Sequence, residues 1–302
     1  EGAKSWRGNH YPAAWSNDTL NVKIFTSVSF IYLFASLAYC CYPFLRKEAL
    51  AKTATGLAGL GLGVHTIGYI VRWVESYKLG VGHTPFAFFT LYESLVFTCW
   101  ALLIFYLFLE YKYGFKALGA MLLPLAALCM LYVSFSPNVS SEIKELPSVL
   151  QGNFFIHHVI GHFVAYCFFV TSVVVSMVIL FKGSSSAQSG LLKKMLDRFP
   201  PAEVLDNLNY KAIAIGFIFY GIGMATGVYR TKIIWGSYWS ADASEISALI
   251  QWLLYALILH GRYQKWCGMR ATSILSIIAF VTAVITFFIS MGYMMVSGHY
   301  PF

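Results

Sequence analysis

The sequence predicts an all-α membrane protein, a single polytopic helical bundle of about eight transmembrane helices that covers residues 1–302. Composition is the first observation, because 58% of the residues are hydrophobic and only 11% are charged. The second is that several apolar runs exceed the roughly 18–20 residues that a helix needs to cross a bilayer. The third is that most of the charged residues fall between these runs, where loops would lie.

The apolar runs divide the chain into eight predicted spans joined by polar loops. Residues 1–22, which are polar and aromatic, are expected to form an interfacial lead-in before the first span. The most soluble stretch is 182–208, between the fifth and sixth spans. The predicted spans cover about residues 24–45, 56–74, 91–111, 117–134, 154–181, 210–229, 246–262 and 271–296.

Basic residues indicate how the spans are oriented. Four alternate loops, 46–55, 111–116, 182–208 and 261–270, hold 12 of the 21 Lys and Arg residues. The positive-inside rule places these loops in the cytoplasm. Both termini and the segment 230–246 then face outward. The net charge of +8 therefore reflects membrane topology and does not indicate nucleic-acid binding.

The segment 230–246 carries an aromatic and acidic cluster between two long apolar runs. Its large rings could form a flat apolar platform at the membrane surface: Trp235, Tyr238 and Trp239. Asp242 and Glu245 should open the next helix, where carboxylates suit the positive end of the helix dipole. The platform could hold a flat ligand, or the rings could be an aromatic belt that only anchors helix ends.

Histidines inside membrane spans are costly and usually functional. His158, near the outer start of the fifth span, and His299, just past the eighth, are expected at the level of the aromatic segment. Two imidazoles beside an aromatic platform are what a bis-histidine haem requires. His157 and His162 lie close to His158, so the identity of the ligand among the three stays open. The i,i+4 pair His158 and His162 could also serve a zinc site.

Two further histidines lie deeper in the membrane. His65 is near the middle of the second span and His260 lies toward the cytoplasmic end of the seventh. Together they could form an inner site, or each could be a structural hydrogen-bonding residue. Arg72, near the outer end of the second span, is a candidate for binding a haem propionate, since guanidinium pairs with carboxylate in a fork. The alternative for Arg72 is simple snorkelling.

The segment Trp235-Gly-Ser-Tyr-Trp-Ser-Ala-Asp-Ala-Ser-Glu245 resembles the tryptophan-rich WWD segment of the CcsA/ResC cytochrome c biogenesis proteins. Two further stretches resemble signatures of that family, Gly82-His83-Thr-Pro85 with Leu91-Tyr-Glu-Ser-Leu95, and His158-Val159 with Tyr166. The family usually reads Trp-Ser-Trp-Asp-Pro where this chain has Trp239-Ser-Ala-Asp-Ala243. The resemblance extends from about residue 25 to the end.

The resemblance implies a protein that carries haem b to the outer face and presents it to apocytochrome c for covalent attachment. It implies that His158 and His299 are the outer axial ligands and that His260 is an inner ligand. A CcsB/ResB-like membrane partner would supply the other inner ligand, which makes His65 a weaker candidate. The implied location is the bacterial cytoplasmic membrane or the thylakoid membrane, with the haem site facing the periplasm or lumen. Membership of a holocytochrome c synthase is an open possibility.

Two other functions fit parts of the same pattern. A membrane b-type cytochrome would use the same histidines but keep its haem and pass electrons within a redox complex. A transporter of another ligand would use the histidines as a proton relay. The first alternative predicts haem that is never transferred, and the second predicts a purified protein without a haem absorption band.

Overall fold

The computed structural model describes residues 19–45, 47–81, 90–144, 153–184 and 190–296. Within these ranges the side chains of 153–156, 191, 230, 234–235 and 289–296 are not described. The predicted interfacial segment 1–22 therefore falls almost wholly outside the description. So do both termini, whose outward position stays a prediction.

The described residues form nine α-helices and no strand. In chain order they are α1 (Leu20–Leu45), α2 (Glu48–Lys78), α3 (Leu91–Tyr113), α4 (Lys116–Phe135), α5 (Asn153–Lys182), α6 (Gly190–Leu196), α7 (Ala202–Trp235), α8 (Ala243–Tyr263) and α9 (Met269–Val296). Eight of them are long and apolar enough to cross a membrane, which confirms the predicted spans. The short α6 lies in the stretch that was expected to be the most soluble loop.

The helix α7 is longer than its apolar run at both ends. It begins eight residues before the predicted start at 210, because its first polar side chains find partners on other helices. Asn209 bonds Ser172 and Ser176 on α5, and Asp206 pairs with Arg262 on α8. The helix then continues to Trp235, six residues past the predicted end at 229. This extension changes the height of the aromatic segment relative to the histidines.

The helices pack in two groups that meet at α5. In the first group, α1 packs against α2 and α4, and α3 packs against α4. In the second, α5 packs against α7 and α9, while α8 contacts α9 and α7. The α5–α7 contact is the most extensive, and it depends on small residues. A Cβ at Gly161 would lie only 3.0 Å from the Gly223 Cα, so the two backbones meet directly there.

Candidate functional site

His158 lies on α5 at the contact with α7, and its ring is held by the α7 backbone. Its Nδ1 is 2.8 Å from the Gly223 carbonyl oxygen. A carbonyl oxygen can only accept, so Nδ1 carries the proton and, in the neutral ring, Nε2 carries the lone pair. This is the tautomer that a metal-ligating histidine uses, with a backbone carbonyl fixing the ring orientation.

Glycines on α7 make the space for this ring and for its neighbour. A Cβ at Gly227 would lie 2.6 Å from His158 Nδ1. A Cβ at Gly223 would lie 2.3 Å from His162 Nδ1. Both distances are shorter than real Cβ contacts. While the two rings keep their positions, only glycine therefore fits at 223 and 227.

The three clustered histidines have different surroundings. His157 is exposed, and His158 is half-buried between α5 and α7. His162 lies one turn deeper, donates from Nδ1 to the His158 carbonyl oxygen at 2.8 Å, and packs edge-on against Tyr220 with ring centroids 4.6 Å apart. His162 is half-buried like His158, and its contact with Tyr220 is what distinguishes the two rings.

Within the segment 230–246, α7 ends at Gly236, which has the left-handed φ of 72° that often terminates a helix. Tyr238 is 56% exposed and Trp239 is 42% exposed, so both rings are available to a ligand. The Trp235 side chain lies outside the described residues. Lys232, in the last turn of α7, donates to the Gly236 carbonyl oxygen at 2.6 Å and lies 5.1 Å from the centre of the Tyr238 ring.

Glu245 holds the other end of the segment. Its carboxylate accepts the backbone N–H groups of Ser240 at 2.7 Å and Ala241 at 3.0 Å, and the Thr231 hydroxyl at 3.3 Å. Asp242 caps α8 by accepting from the Glu245 N–H at 2.8 Å. Ala241 has a φ of 58°, which is uncommon for a residue with a side chain. The Glu245 bonds stabilise this strained turn.

The histidines and the aromatic segment are not at one level. His158 contacts α7 at Gly223 and Gly227, whereas the helix end that leads to Tyr238 and Trp239 is at Gly236, nine residues after Gly227. At 1.5 Å per residue this separation is about 14 Å along the helix. His158 therefore lies below the segment, because α7 continues past its apolar run. His299, its expected partner, lies outside the described residues.

His65 and His260 are not brought together. His65 is fully buried, bonds the Tyr32 hydroxyl through Nδ1 at 2.9 Å, stacks on Tyr69 and meets Phe25 edge-on. Its Nε2 has no hydrogen-bond partner in the described part of the chain, but the surrounding rings leave no space for a macrocycle. His260 is exposed on α8, which packs on α7 and α9.

Arg72 is buried in an ionic cluster at the end of α2. Its guanidinium pairs with Glu93 at 2.8 Å and donates to the Asn21 side chain at 3.2 Å and to the Ser141 carbonyl oxygen at 3.0 Å. It also lies 5.2 Å from the centre of the Tyr92 ring. The guanidinium thus joins α2, α3, the start of α1 and the residues after α4.

Several residues of this region were not selected from the sequence. Lys232, Gly223 and Gly227 touch the rings of the site, and Ser240 and Thr231 meet the Glu245 carboxylate. The spacing Gly221-x-Gly223-x-x-x-Gly227 was a visible signal for a close helix contact on one face of α7. The contacts of Lys232 had no comparable signal.

The chain is similar to cytochrome c biogenesis proteins. The family model described as cytochrome C assembly protein matches residues 88–295. The cytochrome c biogenesis protein CcsA of Chlorella vulgaris is 32% identical over 279 residues, covering 82% of this chain and 86% of the relative. CcsA of Prochlorococcus marinus strain MIT 9313 is 30% identical over 250 residues, covering 74% and 76%. CcsA of Synechococcus sp. strain WH7803 is 28% identical over 282 residues, covering 82% and 85%.

Proposed function

The chain belongs to the cytochrome c assembly protein family, and on that premise we propose that it binds haem b and presents it to apocytochrome c for covalent attachment. It is an integral membrane protein with a role in cytochrome c biogenesis. Haem is its cargo in this proposal. The observation that carries the proposal is the His158 ring, oriented by the Gly223 carbonyl and accommodated by Gly227.

The residues near His158 fit an iron porphyrin in their chemistry. Nδ1 donates to a backbone carbonyl, which leaves Nε2 as the basic nitrogen of the ring. His158 is half-buried, and the exposed Tyr238 and Trp239 follow the end of α7 at Gly236, about 14 Å along the helix from Gly227. His158 would bind the iron, and the aromatic rings would contact the outward edge of the macrocycle. His299 would be the second axial ligand of this site.

The covalent step needs little from this chain beyond positioning. Bound haem supplies vinyl groups, and a cysteine thiol of the apocytochrome adds across a vinyl double bond, forming a C–S bond while the thiol proton goes to the other vinyl carbon. This addition transfers no net electrons. The contribution of the chain is to fix the iron through His158 and to keep the macrocycle edge accessible beside Tyr238 and Trp239. A chain that supports this transfer would be a subunit of a holocytochrome c synthase.

His260 is proposed to bind haem with help from another subunit. It is exposed on α8, and an imidazole facing lipid is unfavourable unless a partner covers it. A CcsB/ResB-like membrane protein would supply the second ligand. The same scheme places His260 near the cytoplasmic loops and the aromatic segment on the periplasmic or lumenal face of a bacterial cytoplasmic or thylakoid membrane. The distribution of Lys and Arg between alternate loops supports this orientation.

The test is an absorption spectrum of the purified protein, alone and with a CcsB-like partner. The wild type is compared with His158→Ala and His299→Ala, and with His157→Ala as the matched control, since His157 is adjacent but exposed. We expect a Soret band that shifts or disappears in the first two variants and persists in the third. A second assay then measures haem transfer to an apocytochrome. Transfer indicates haem delivery, and no transfer indicates a b-type cytochrome that keeps its haem. A wild type without haem under both conditions refutes the proposal.

A further inference from the structure

We propose that Lys232 binds a propionate of the haem that lies against Tyr238 and Trp239. This inference rests on the proposed function, because it assigns a contact to the same cargo. Lys232 is exposed in the last turn of α7, four residues before Gly236. It replaces Arg72 as the residue that recognises the charged edge of the ligand.

The geometry holds the ammonium group over the exposed Tyr238 ring. Lys232 Nζ donates one hydrogen bond to the Gly236 carbonyl oxygen at 2.6 Å and lies 5.1 Å from the Tyr238 ring centre. An ammonium group has three N–H donors, so the Gly236 bond leaves two for a ligand. A carboxylate that approaches along the Tyr238 face would meet a cation whose position is already restricted, and less conformational entropy is lost on binding.

The charge of Lys232 is not neutralised by the segment itself. In the described residues Lys232 takes part in no ion pair. The nearest acidic residues in sequence are used elsewhere. Glu245 accepts from Ser240 and Ala241, and Asp242 caps α8. A positive charge beside an apolar platform matches a ligand that is flat and apolar with carboxylates at one edge.

Arg72, the other candidate for binding a propionate, is already paired with a carboxylate inside the protein. Arg72 pairs with Glu93 at 2.8 Å, with side chains that are 8% and 15% exposed. Binding a propionate would require that pair to open and leave Glu93 buried without its cation, which is costly. The simplest competing role for Lys232 is to stabilise the end of α7, where the helix dipole favours a cation.

The experiment compares haem with haem dimethyl ester, which keeps the iron, the ring and the vinyl groups but lacks both carboxylate charges. Dissociation constants are measured by Soret titration of the full-length protein, with any partner subunit it requires. The variants are Lys232→Gln, Lys232→Arg and the control Lys211→Gln, an exposed lysine at the other end of α7. Circular dichroism of each variant checks that its helices are intact.

We expect the wild type to bind haem more tightly than the ester by about three- to tenfold, the range between an exposed ion pair and a charge-assisted hydrogen bond. Lys232→Gln should remove that difference by weakening haem alone, Lys232→Arg should retain it, and Lys211→Gln should leave both affinities unchanged. Equal affinities in the wild type, or equal losses for haem and ester in Lys232→Gln, would overturn the inference and leave haem binding in place. A wild type that binds neither ligand refutes the proposed function as well.

Discussion

The His158 imidazole is bound to the backbone of a different helix, with Nδ1 2.8 Å from the carbonyl oxygen of Gly223. Gly223 lies on α7 where it packs against Gly161 of α5, and the absence of side chains there lets the two helix backbones meet. The orientation of this candidate haem ligand therefore depends on how α5 and α7 pack. Variants that change the distance between α5 and α7 should therefore change the orientation of the His158 ring directly.

Replacing Gly227 with Ala tests this dependence. The new Cβ would lie 2.6 Å from His158 Nδ1, so the ring or the helix has to move. Overpacking of this kind costs about 1–3 kcal/mol, and here it should also reduce haem occupancy or shift the Soret band. Gly59→Ala is the control, because nothing lies within 4 Å of its Cβ position. An unchanged spectrum and melting temperature in Gly227→Ala would contradict this account of the packing.

Removing the Glu245 carboxylate should loosen the aromatic segment. Glu245→Ala deletes the acceptor for two backbone N–H groups and for Thr231, and it removes the support for the left-handed Ala241. We expect faster hydrogen exchange at residues 236–242, with a local loss of about 1 kcal/mol, because the freed N–H groups of the exposed Ser240 and Ala241 can bond to water. Glu245→Gln keeps a hydrogen-bond acceptor, so its exchange rate should lie between those of the wild type and Glu245→Ala.

The neighbouring position Ser247 is the control for that experiment. Its hydroxyl bonds only the Ser244 carbonyl within the described part of α8, so Ser247→Ala should leave exchange in the segment unchanged. If Glu245→Ala exchanges as slowly as the wild type, the carboxylate does not hold the turn.

The Arg72–Glu93 pair should be important for stability. Removing one partner leaves a buried charge uncompensated, so Arg72→Ala is expected to cost about 3–5 kcal/mol in the free energy of unfolding. The double variant Arg72→Met with Glu93→Gln leaves no unpaired charge, so it should lose less free energy of unfolding than Arg72→Ala alone. Thermal unfolding in detergent measures both. Lys116→Ala provides the comparison, since its pair with the 68% exposed Glu48 should contribute less than about 1 kcal/mol.

Substitutions of His65 and His260 should have different effects on the melting temperature and on bound haem. His65→Phe should lower the melting temperature by removing the Tyr32 bond and changing a fully packed ring cluster, with little effect on bound haem. His260→Ala should leave the melting temperature of this subunit nearly unchanged and reduce haem bound together with a partner subunit. The reverse pattern would assign the inner ligand to His65.

The sequence was sufficient for the spans and for the start of α8. Apolar runs determine which residues can lie in lipid, and Asp242 caps α8 as its position predicted. It was not sufficient for relative depth, because the polar start of α7 and its extension to Trp235 depend on partners from other helices. The contacts of Arg72 could not be predicted for the same reason, since Asn21, Glu93 and Ser141 come together only in the folded chain.

The Gly223 carbonyl that orients His158 is 65 residues further along the chain. During synthesis from the N-terminus, α5 is made before α7. The histidine therefore acquires its final orientation only when α7 inserts beside it. A chain that stops before α7 would lack both the carbonyl and the glycine surface, so the order of translation itself would delay cargo loading until most of the bundle has been made.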